Sequence, residues 1–283
     1  MLKFCNHYKD LRKLSLLDDI WEGFPQVRGK KVFVKPNLVV PATVGEEASC
    51  TKVEVIQLVI EKLKEEGCSD ITVGDCGFKN AWELTISSTG YDILPKKYGV
   101  KLIGLMLGEN FHKFTLRRSD KYLSLFGAKF SDYMLECDLV INVPKLKVHK
   151  MALVTGAIKN MMGTMIQKGN MHPKGNIEIL HKRLHDLYYL TKDIVKFNLM
   201  DGIVGSEYAE HCGIPKKANV LISSTDMWEM DCAASQVMGI PVGKVLYLEY
   251  IARQRHLIPN ANIPNIGVEK AWITPFELPL RWR

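Results

Sequence analysis

A run of apolar, β-branched residues in the middle of the chain stops abruptly at a proline. Residues 139–143 read LVINV, and Pro144 follows directly. A proline cannot donate a hydrogen bond to a strand ladder, so the run predicts an interior strand that ends at this position. A strand that is apolar on both sides is typical of a parallel sheet with both faces covered.

Strand and helix patterns alternate in the first part of the chain. Residues 31–40 form a second apolar run with a lysine beside a proline, and residues 51–67 show helical spacing with a glycine stop. Residues 70–76 predict another strand, residues 82–98 a partly helical stretch and residues 100–107 a further strand. This alternation predicts the α/β fold class, with a largely parallel sheet and helices on both faces.

Two segments depart from this rhythm. Alternating side chains in residues 111–130 predict an inserted β-hairpin, either a flap or a contact in a homo-oligomer. Residues 259–283 hold four of the twelve prolines, which predicts a loose arm or an edge strand. We expect an N-terminal lead-in at 1–27, one α/β domain at 28–270 and a C-terminal tail at 271–283.

Basic side chains follow the central strand at alternate positions. Lys145, Lys147 and His149 come directly after Pro144. Side chains of an extended segment alternate between two sides, so these three are expected to project to the same side. They would then converge on one anion. The alternative is an ordinary solvated loop, since most lysines are exposed.

A short helix is predicted after this loop, with Thr155 as its cap and Gly163 as its stop. Thr155 and Gly156 precede residues 157–162, which carry Lys159 and Asn160. A helix N-terminus presents free N–H groups and a partial positive charge, which suits a phosphate or a carboxylate. We therefore expect these residues to bind an anionic ligand or cofactor.

Polar residues also lie at the ends of other predicted strands. Lys35 and Asn37 follow the second apolar run, while Asp75 and Asp201 end apolar strands beside glycines. Ligands of open α/β sheets gather at the carboxyl ends of strands, so these residues are expected near the lysine loop. The two acids could balance the cationic charge, bind ribose hydroxyls or join a metal site, or they could be turn formers.

Four histidines are candidates for chemistry. His149 lies among lysines, which should depress its pKa and leave a neutral ring able to act as a base; alternatively it only hydrogen-bonds the backbone or a ligand. His172 lies in the loop GNMHPKGN, which could close over a ligand. His181 and His185 are four residues apart on a predicted helix, a spacing that suits either a metal or a structural role.

Two acids flank the start of a later predicted helix. Asp226 is expected to cap that helix, and Asp231 lies in its opening turns, where it could face the site. The chain contains no GxSxG, Walker or GxGxxG motif, which disfavours a hydrolase, a nucleoside triphosphatase and a standard dinucleotide enzyme.

Charge and cysteine content narrow the classes of protein further. The net charge of +7 favours an anionic small-molecule ligand, and no basic run is interleaved with aromatics, so we expect no nucleic-acid partner. Seven cysteines without a CxxC pair argue against a disulfide framework and an iron–sulfur or zinc ribbon motif. No apolar run approaches the roughly 20 residues that span a bilayer. We expect a cytoplasmic protein without a membrane contact.

Four motifs occur in an order that is familiar from one family: Lys35-Pro36-Asn37, Pro144-Lys145-Leu146-Lys147-x-His149, Thr155-Gly156-Ala157-x-Lys159-Asn160 and Met238-Gly239. With them, the chain resembles the domain of unknown function 362 family from about residue 28 to residue 270. Several members of that family carry a ferredoxin-like segment, which implies electron transfer. This sequence has no such segment and has Thr51-Lys52 where the family pattern has Thr-His. The resemblance thus implies a reductase fed by a separate electron-donor protein, with a flavin or deazaflavin as cofactor.

A weaker likeness concerns the N-terminal domain of nickel-pincer lactate racemases. The outline of an Asp-Leu-Val-Ile strand, a Lys/His loop and a later histidine is similar, while the doubled glycine and lysine pattern is absent. This likeness implies proton transfer by His149 and His172. The sequence therefore predicts an enzyme that acts on an anionic small molecule, as a reductase or as a metal-dependent racemase or epimerase, with a non-catalytic phosphate-ligand binder as the third alternative.

Overall fold

The fold is built on a mixed, mostly parallel sheet. The computed structural model describes residues 1–13, 18–39, 41, 48–77, 81–105, 111–113, 124–125, 129–166, 171–172, 175–255 and 268–282. Its strands are β1 Leu2–Phe4, β2 Lys31–Pro36, β3 Asp70–Asp75, β4 Lys101–Gly104, β5 Phe111–Lys113, β6 Lys129–Ser131, β7 Leu139–Val143, β8 Lys145–His149, β9 Leu153–Thr155, β10 Met165–Ile166, β11 Val195–Glu207 and β12 Ile214–Ser224.

The main sheet has the strand order β1-β12-β11-β7-β2-β3-β4. The strands from β11 to β4 are parallel, whereas β12 and β1 add an antiparallel edge. Past Pro144 the chain continues as β8, which pairs with the second half of β11, and β9 folds back onto β8. The predicted interior strand is β7, with all five residues buried.

Helices cover both faces of this sheet, as the alternating sequence pattern predicts. They are α1 Val53–Glu65, α2 Trp82–Ser88, α3 Ile93–Tyr98, α4 Asp132–Leu135, α5 Ala157–Asn160, α6 Ile177–Thr191, α7 Met227–Val237 and α8 Leu246–Gln254. Neighbouring side chains of β2 point into different cores: Phe33 packs with residues of α5 to α8, and Val34 packs with residues of α1 to α3. The α/β fold class is thus confirmed.

Local caps define two of the longer helices. Asn176 accepts a hydrogen bond from the Ile179 N–H at 3.1 Å and begins α6. Asp226 accepts from the Trp228 N–H at 2.7 Å and begins α7, which confirms its predicted capping role. Among the described residues, no helix has both the length and the apolar character that crossing a membrane requires.

The predicted hairpin forms the core of a small second sheet. β5 pairs antiparallel with β6, so that Phe111 lies opposite Ser131, and β10 pairs with the other side of β6. Within the predicted segment, residues 114–123 and 126–128 lie outside the described residues. Pairing of the two ends is confirmed, and a role as flap or oligomer contact stays a prediction.

The C-terminal arm is docked over residues 268–282, so the prediction of a loose arm or edge strand is wrong there. Its backbone binds the end of α7: the Thr274 N–H donates to the Val237 carbonyl at 2.7 Å, and the Phe276 N–H donates to the Met238 carbonyl at 3.0 Å. The Phe276 side chain is 6% exposed and joins the core. The prolines did not indicate this burial. They show where a strand cannot form, but not where a segment packs against the rest of the fold.

Truncation of the buried arm residue is expected to destabilise the protein. Phe276→Ala should lower the free energy of unfolding by about 3 kcal/mol, because it removes a large apolar side chain and leaves a cavity. Leu280→Ala is the matched control, since Leu280 is 85% exposed; its effect should stay within about 0.5 kcal/mol. Urea unfolding measures both, and equal effects would contradict docking of the arm.

Candidate functional site

A cavity of about 620 Å³ opens beside the carboxyl ends of β2 and β3 and the hairpin of β8 and β9. This is the place where ligands of open α/β sheets bind. The cavity is lined by nine of the residues that the sequence predicted for the site: Lys35, Asn37, Asp75, Lys147, His149, Thr155, Lys159, Asn160 and His172. Residues that lie far apart in the chain are therefore brought together as expected.

Lys35 and Asp75 form a buried ion pair on one wall of the cavity. Their Nζ and Oδ1 atoms are 2.9 Å apart, and the side chains are 0% and 5% exposed. Asp75 also accepts from the Leu38 N–H at 2.6 Å. Gly163 packs against the pair so closely that a Cβ there would lie 2.6 Å from the lysine Nζ. Asp75 thus balances cationic charge, one of the roles predicted for it.

Asparagine side chains form a chain of hydrogen bonds below the cavity. The Asn37 amide donates to Asn160 Oδ1 at 2.9 Å, the Asn160 amide donates to Asn142 Oδ1 at 2.8 Å, and the Asn142 amide donates to Asn198 Oδ1 at 2.9 Å. Each bond fixes the orientation of the next amide. Sequence reasoning missed Asn142 and Asn198; the signal for Asn142 was its position as the one polar residue within the apolar run at 139–143.

Lys147 is buried among neutral oxygen acceptors. Its Nζ donates to Asn37 Oδ1 at 2.9 Å and to the Ser49 carbonyl at 2.8 Å, and the residue is 1% exposed. Burial lowers the pKa of Lys147 to about 8, while electrostatic interactions with Cys50 and Glu210 act in the opposite direction. Burial disfavours the charged form of an amine, so Lys147 titrates close to neutral pH.

Backbone hydrogen bonds fix the tautomer of His149. Its Nδ1 accepts from the N–H groups of Met151 and Ala152, each at 3.0 Å. We therefore assign the ring proton to Nε2. The predicted depression of the pKa is confirmed: burial, and then the charges of Lys159 and His172, lower the pKa of His149 well below its ordinary value. In this tautomer the neutral ring presents a donor, whereas a base needs a free lone pair.

Two further ring and acid groups complete this end of the cavity. The rings of His149 and His172 stack with centroids 5.8 Å apart and an interplanar angle of 22°. Glu210 Oε1 lies 3.7 Å from His149 Nε2, and burial lowers the pKa of His211 to about 4. Sequence reasoning missed Glu210 and His211, since they lie in the connection between β11 and β12, which carries no motif. Their adjacency after a long apolar strand was the available signal.

Thr155 lies directly opposite Lys147 in the pairing of β8 with β9. It is 3% exposed and lines the cavity, and its Oγ1 has no hydrogen-bond partner among the described residues. The prediction that Thr155 caps the following helix is wrong, because Gly156 occupies the N-cap position and no side chain of the cap residue binds the helix. The hydroxyl is therefore not used for capping.

An internal carboxylate occupies the N-terminus of α5. Asp231 accepts hydrogen bonds from the N–H groups of Ala157 and, at 3.2 Å, Ile158, as well as from the Tyr247 hydroxyl at 3.0 Å. The predicted use of this terminus and of Gly156 to bind a ligand is wrong for that reason. Gly156 instead allows Asp231 to approach the backbone closely, since a Cβ at this position would lie 2.5 Å from Asp231 Cγ.

Lys145 and Asp201 lie together outside the cavity lining. They are paired residues of β8 and β11, and their Nζ and Oδ2 atoms form an ion pair of 2.7 Å with both side chains 0% exposed. Asp201 also accepts from the Tyr8 hydroxyl at 2.9 Å and from the Lys52 N–H at 3.0 Å. The predicted convergence of three donors on one anion is therefore wrong at Lys145, whose charge is neutralised within the fold.

The two histidines of α6 have structural partners. His181 Nδ1 accepts from the Tyr247 N–H at 3.1 Å, and His185 lies between Asp186 Oδ1 at 2.8 Å and Gln254 Oε1 at 2.5 Å. Both rings are buried in the fold rather than in the cavity. In the part of the chain that the structure describes, no group of three or more His, Cys, Asp or Glu side chains is arranged to hold a metal ion.

Residues 32–236 match the family described as "Domain of unknown function (DUF362)". The chain belongs to this family. The matched region contains most of the cavity, including the β2 end, the hairpin of β8 and β9, and the connection that carries Glu210. Membership confirms the resemblance that the sequence motifs indicated.

Two further comparisons concern relatives of known name or structure. The thylakoid-associated protein sll1697 of Synechocystis sp. is 24% identical over 217 residues, which cover 75% of this chain and 64% of the relative. The lactate racemase apoprotein from Thermoanaerobacterium thermosaccharolyticum superposes with a TM-score of 0.52 over 86% of this chain and 58% of that protein, at 12% identity. The second comparison shows a shared fold, consistent with the outline seen in the sequence.

The Asp231 carboxyl group at the N-terminus of α5 is expected to make the stability of the protein depend on pH. Burial raises the pKa of Asp231 from 3.8 to about 7, against the hydrogen bonds from Ala157 and Ile158. Its contribution to stability is therefore present below pH 4 and is lost as the pH rises through 7. Between pH 4 and pH 7, the unfolding free energy of the wild type should fall by about 4 kcal/mol relative to that of Asp231→Asn.

Urea unfolding at a series of pH values measures this difference. Asp193→Asn is the control, since the Asp193 side chain is 84% exposed and its replacement should leave the pH dependence of the wild type unchanged. Parallel curves for the wild type and Asp231→Asn would contradict the expected titration of Asp231.

Proposed function

We propose that this protein is an enzyme that binds an anionic small molecule in the cavity. The observation that carries the proposal is the Thr155 hydroxyl, which is buried, lines the cavity and has no partner among the described residues. A buried hydroxyl without a hydrogen bond costs free energy, so a ligand that supplies an oxygen acceptor would stabilise the folded protein.

The neighbouring groups favour a carboxylate or a phosphate as that acceptor. His149 presents an N–H donor, Lys159 contributes a cationic side chain, and Lys147 Nζ adds an amine to the same cavity. Charge-assisted hydrogen bonds to such oxygens are stronger than neutral ones. A volume of about 620 Å³ is in the range of small-molecule sites.

Reduction of a small molecule is the reaction class that we favour. The support comes from the family, in which members with an added ferredoxin-like segment imply electron transfer. Electrons would reach this chain from a separate donor protein, through a flavin or deazaflavin. The donors around Thr155 suit the phosphate group of such a cofactor. When bound, the cofactor would supply electron transfer. We place the reaction in the cytoplasm, because seven cysteines without a CxxC pair are typical of a reducing compartment.

Proton transfer without a net redox change is the second candidate. The stacked rings of His149 and His172, with centroids 5.8 Å apart, place a fixed N–H donor beside a second imidazole at one end of the cavity. Such a pair suits a racemase or epimerase. Both candidates use the same anion site, so the bound molecule distinguishes them.

Native mass spectrometry and metal analysis of protein purified without oxygen provide that distinction. A co-purified flavin or nucleotide would support the reductase. A metal-containing ligand without a flavin would support the racemase or epimerase. If the protein is empty and neither flavin mononucleotide nor inorganic phosphate binds in calorimetry, the proposal of an anion site fails.

Thr155→Val is expected to change stability and binding in opposite directions. The ligand-free variant should gain about 1 kcal/mol of unfolding free energy, because the buried hydroxyl without a partner is removed. Binding of the co-purified ligand, or of flavin mononucleotide, should weaken about 10-fold or more through the lost hydrogen bond. Thr72→Val, on β3 and away from the cavity lining, is the control. Destabilisation of ligand-free Thr155→Val would instead assign the hydroxyl a structural role.

A further inference from the structure

His149 cannot accept a proton without losing hydrogen bonds that fix its loop. A base would need the lone pair at Nε2, and a neutral ring with that lone pair carries its proton on Nδ1. Nδ1, however, already accepts from the N–H groups of Met151 and Ala152, each at 3.0 Å. A proton there would face two donors. The ring is therefore fixed as an Nε2–H donor over the range in which it is neutral.

The contacts of Lys147 match those of a neutral amine. A neutral amine has two N–H donors and one lone pair, and Lys147 Nζ donates to two acceptors, Asn37 Oδ1 at 2.9 Å and the Ser49 carbonyl at 2.8 Å. Both acceptors are uncharged, in contrast to the carboxylates that pair with the lysines at 35 and 145. The remaining position of Nζ is left for the lone pair, and Lys147 lines the cavity.

Charged neighbours of Lys147 lie on several elements and act in both directions. The negative side chains favour its protonated form, and the positive or basic ones disfavour it. Its electrostatic neighbours are Cys50, Asp75, Lys145, His149, Glu210 and His211. Burial outweighs them and lowers the pKa of Lys147 to about 8, so part of the amine is neutral near neutral pH.

We infer that Lys147 is the proton-transfer base of this site and that His149 is its fixed hydrogen-bond donor. This assignment reverses the roles that the sequence suggested, and it rests on the proposed function for its substrate. The substrate class is an anionic small molecule with an acidic O–H or C–H beside its anionic group. Lys147 Nζ takes that proton, the electron pair of the broken bond stays on the substrate, and the His149 Nε2–H stabilises the oxyanion that results. The ammonium group later returns the proton.

Carbon NMR of ligand-free protein labelled with [13Cε]lysine tests the first half of this inference. The Lys147 resonance is assigned as the one that Lys147→Arg removes. Its titration midpoint is expected at about pH 8, well below the ordinary lysine value of 10.5. A midpoint near 10.5 would overturn the assignment of Lys147 as the base.

Asn37→Asp supplies a second variant that also identifies the resonance. It places a carboxylate at one of the two acceptors of Lys147 Nζ and should raise the midpoint by at least one pH unit. Asn198→Asp, which leaves those acceptors in place, is the matched control and should shift it less. If Asn37→Asp leaves the midpoint unchanged, the acceptors do not set the protonation state of Lys147. That result would overturn the inference.

Nitrogen NMR of [15N]histidine-labelled protein tests the second half. The His149 signals, assigned with His149→Gln, should show the Nε2–H tautomer from pH 6 to pH 9. An Nδ1–H tautomer, or a protonated ring at pH 6, would overturn the role of fixed donor. Both experiments use ligand-free protein, so they remain decisive if the search for a bound anion fails and the proposed function falls.

Discussion

The burial of lysines inside the sheet is the constraint on which the rest of this structure depends. Lys35, Lys145 and Lys147 are each at most 1% exposed, and an isolated ammonium group costs several kcal/mol to bury. The fold resolves the three cases differently. Asp75 and Asp201 neutralise the first two through ion pairs of 2.9 and 2.7 Å, whereas Lys147 meets neutral oxygens. Carboxylates thus compensate the lysine charges within the scaffold, and an amine with a lowered pKa lies where a ligand can bind.

The cavity and the scaffold are built from the same strands. β8 carries Lys145 into the ion pair with β11 and, two residues later, carries Lys147 into the cavity. The asparagine chain that begins at Asn37 continues to Asn198 through the interior of the sheet. A change in the strand register would therefore disturb charge compensation and the cavity together.

Local sequence patterns were sufficient for the parallel strands and for the position of the cavity. The apolar run at 139–143 and the alternation of strand and helix specify a parallel sheet, and parallel strands bring their carboxyl ends to one edge. The partners of the charged groups could not be predicted in this way. Asp231 reaches α5 from a helix more than seventy residues later, and Asp201 faces Lys145 only because of the register of two strands. Such contacts depend on tertiary packing, which spacing along the chain does not encode.

The edge strand β1 also has a consequence for the order in which the protein assembles. Leu2 and Phe4 pair with Ile222 and Val220, and the amino group of Met1 binds the Ser223 carbonyl 222 positions away. At a synthesis rate of 5–20 residues per second, the partner strand emerges roughly 10–45 s after β1. During that interval β1 lacks the strand with which it pairs, so this segment of the nascent chain stays without its sheet hydrogen bonds until β12 is made.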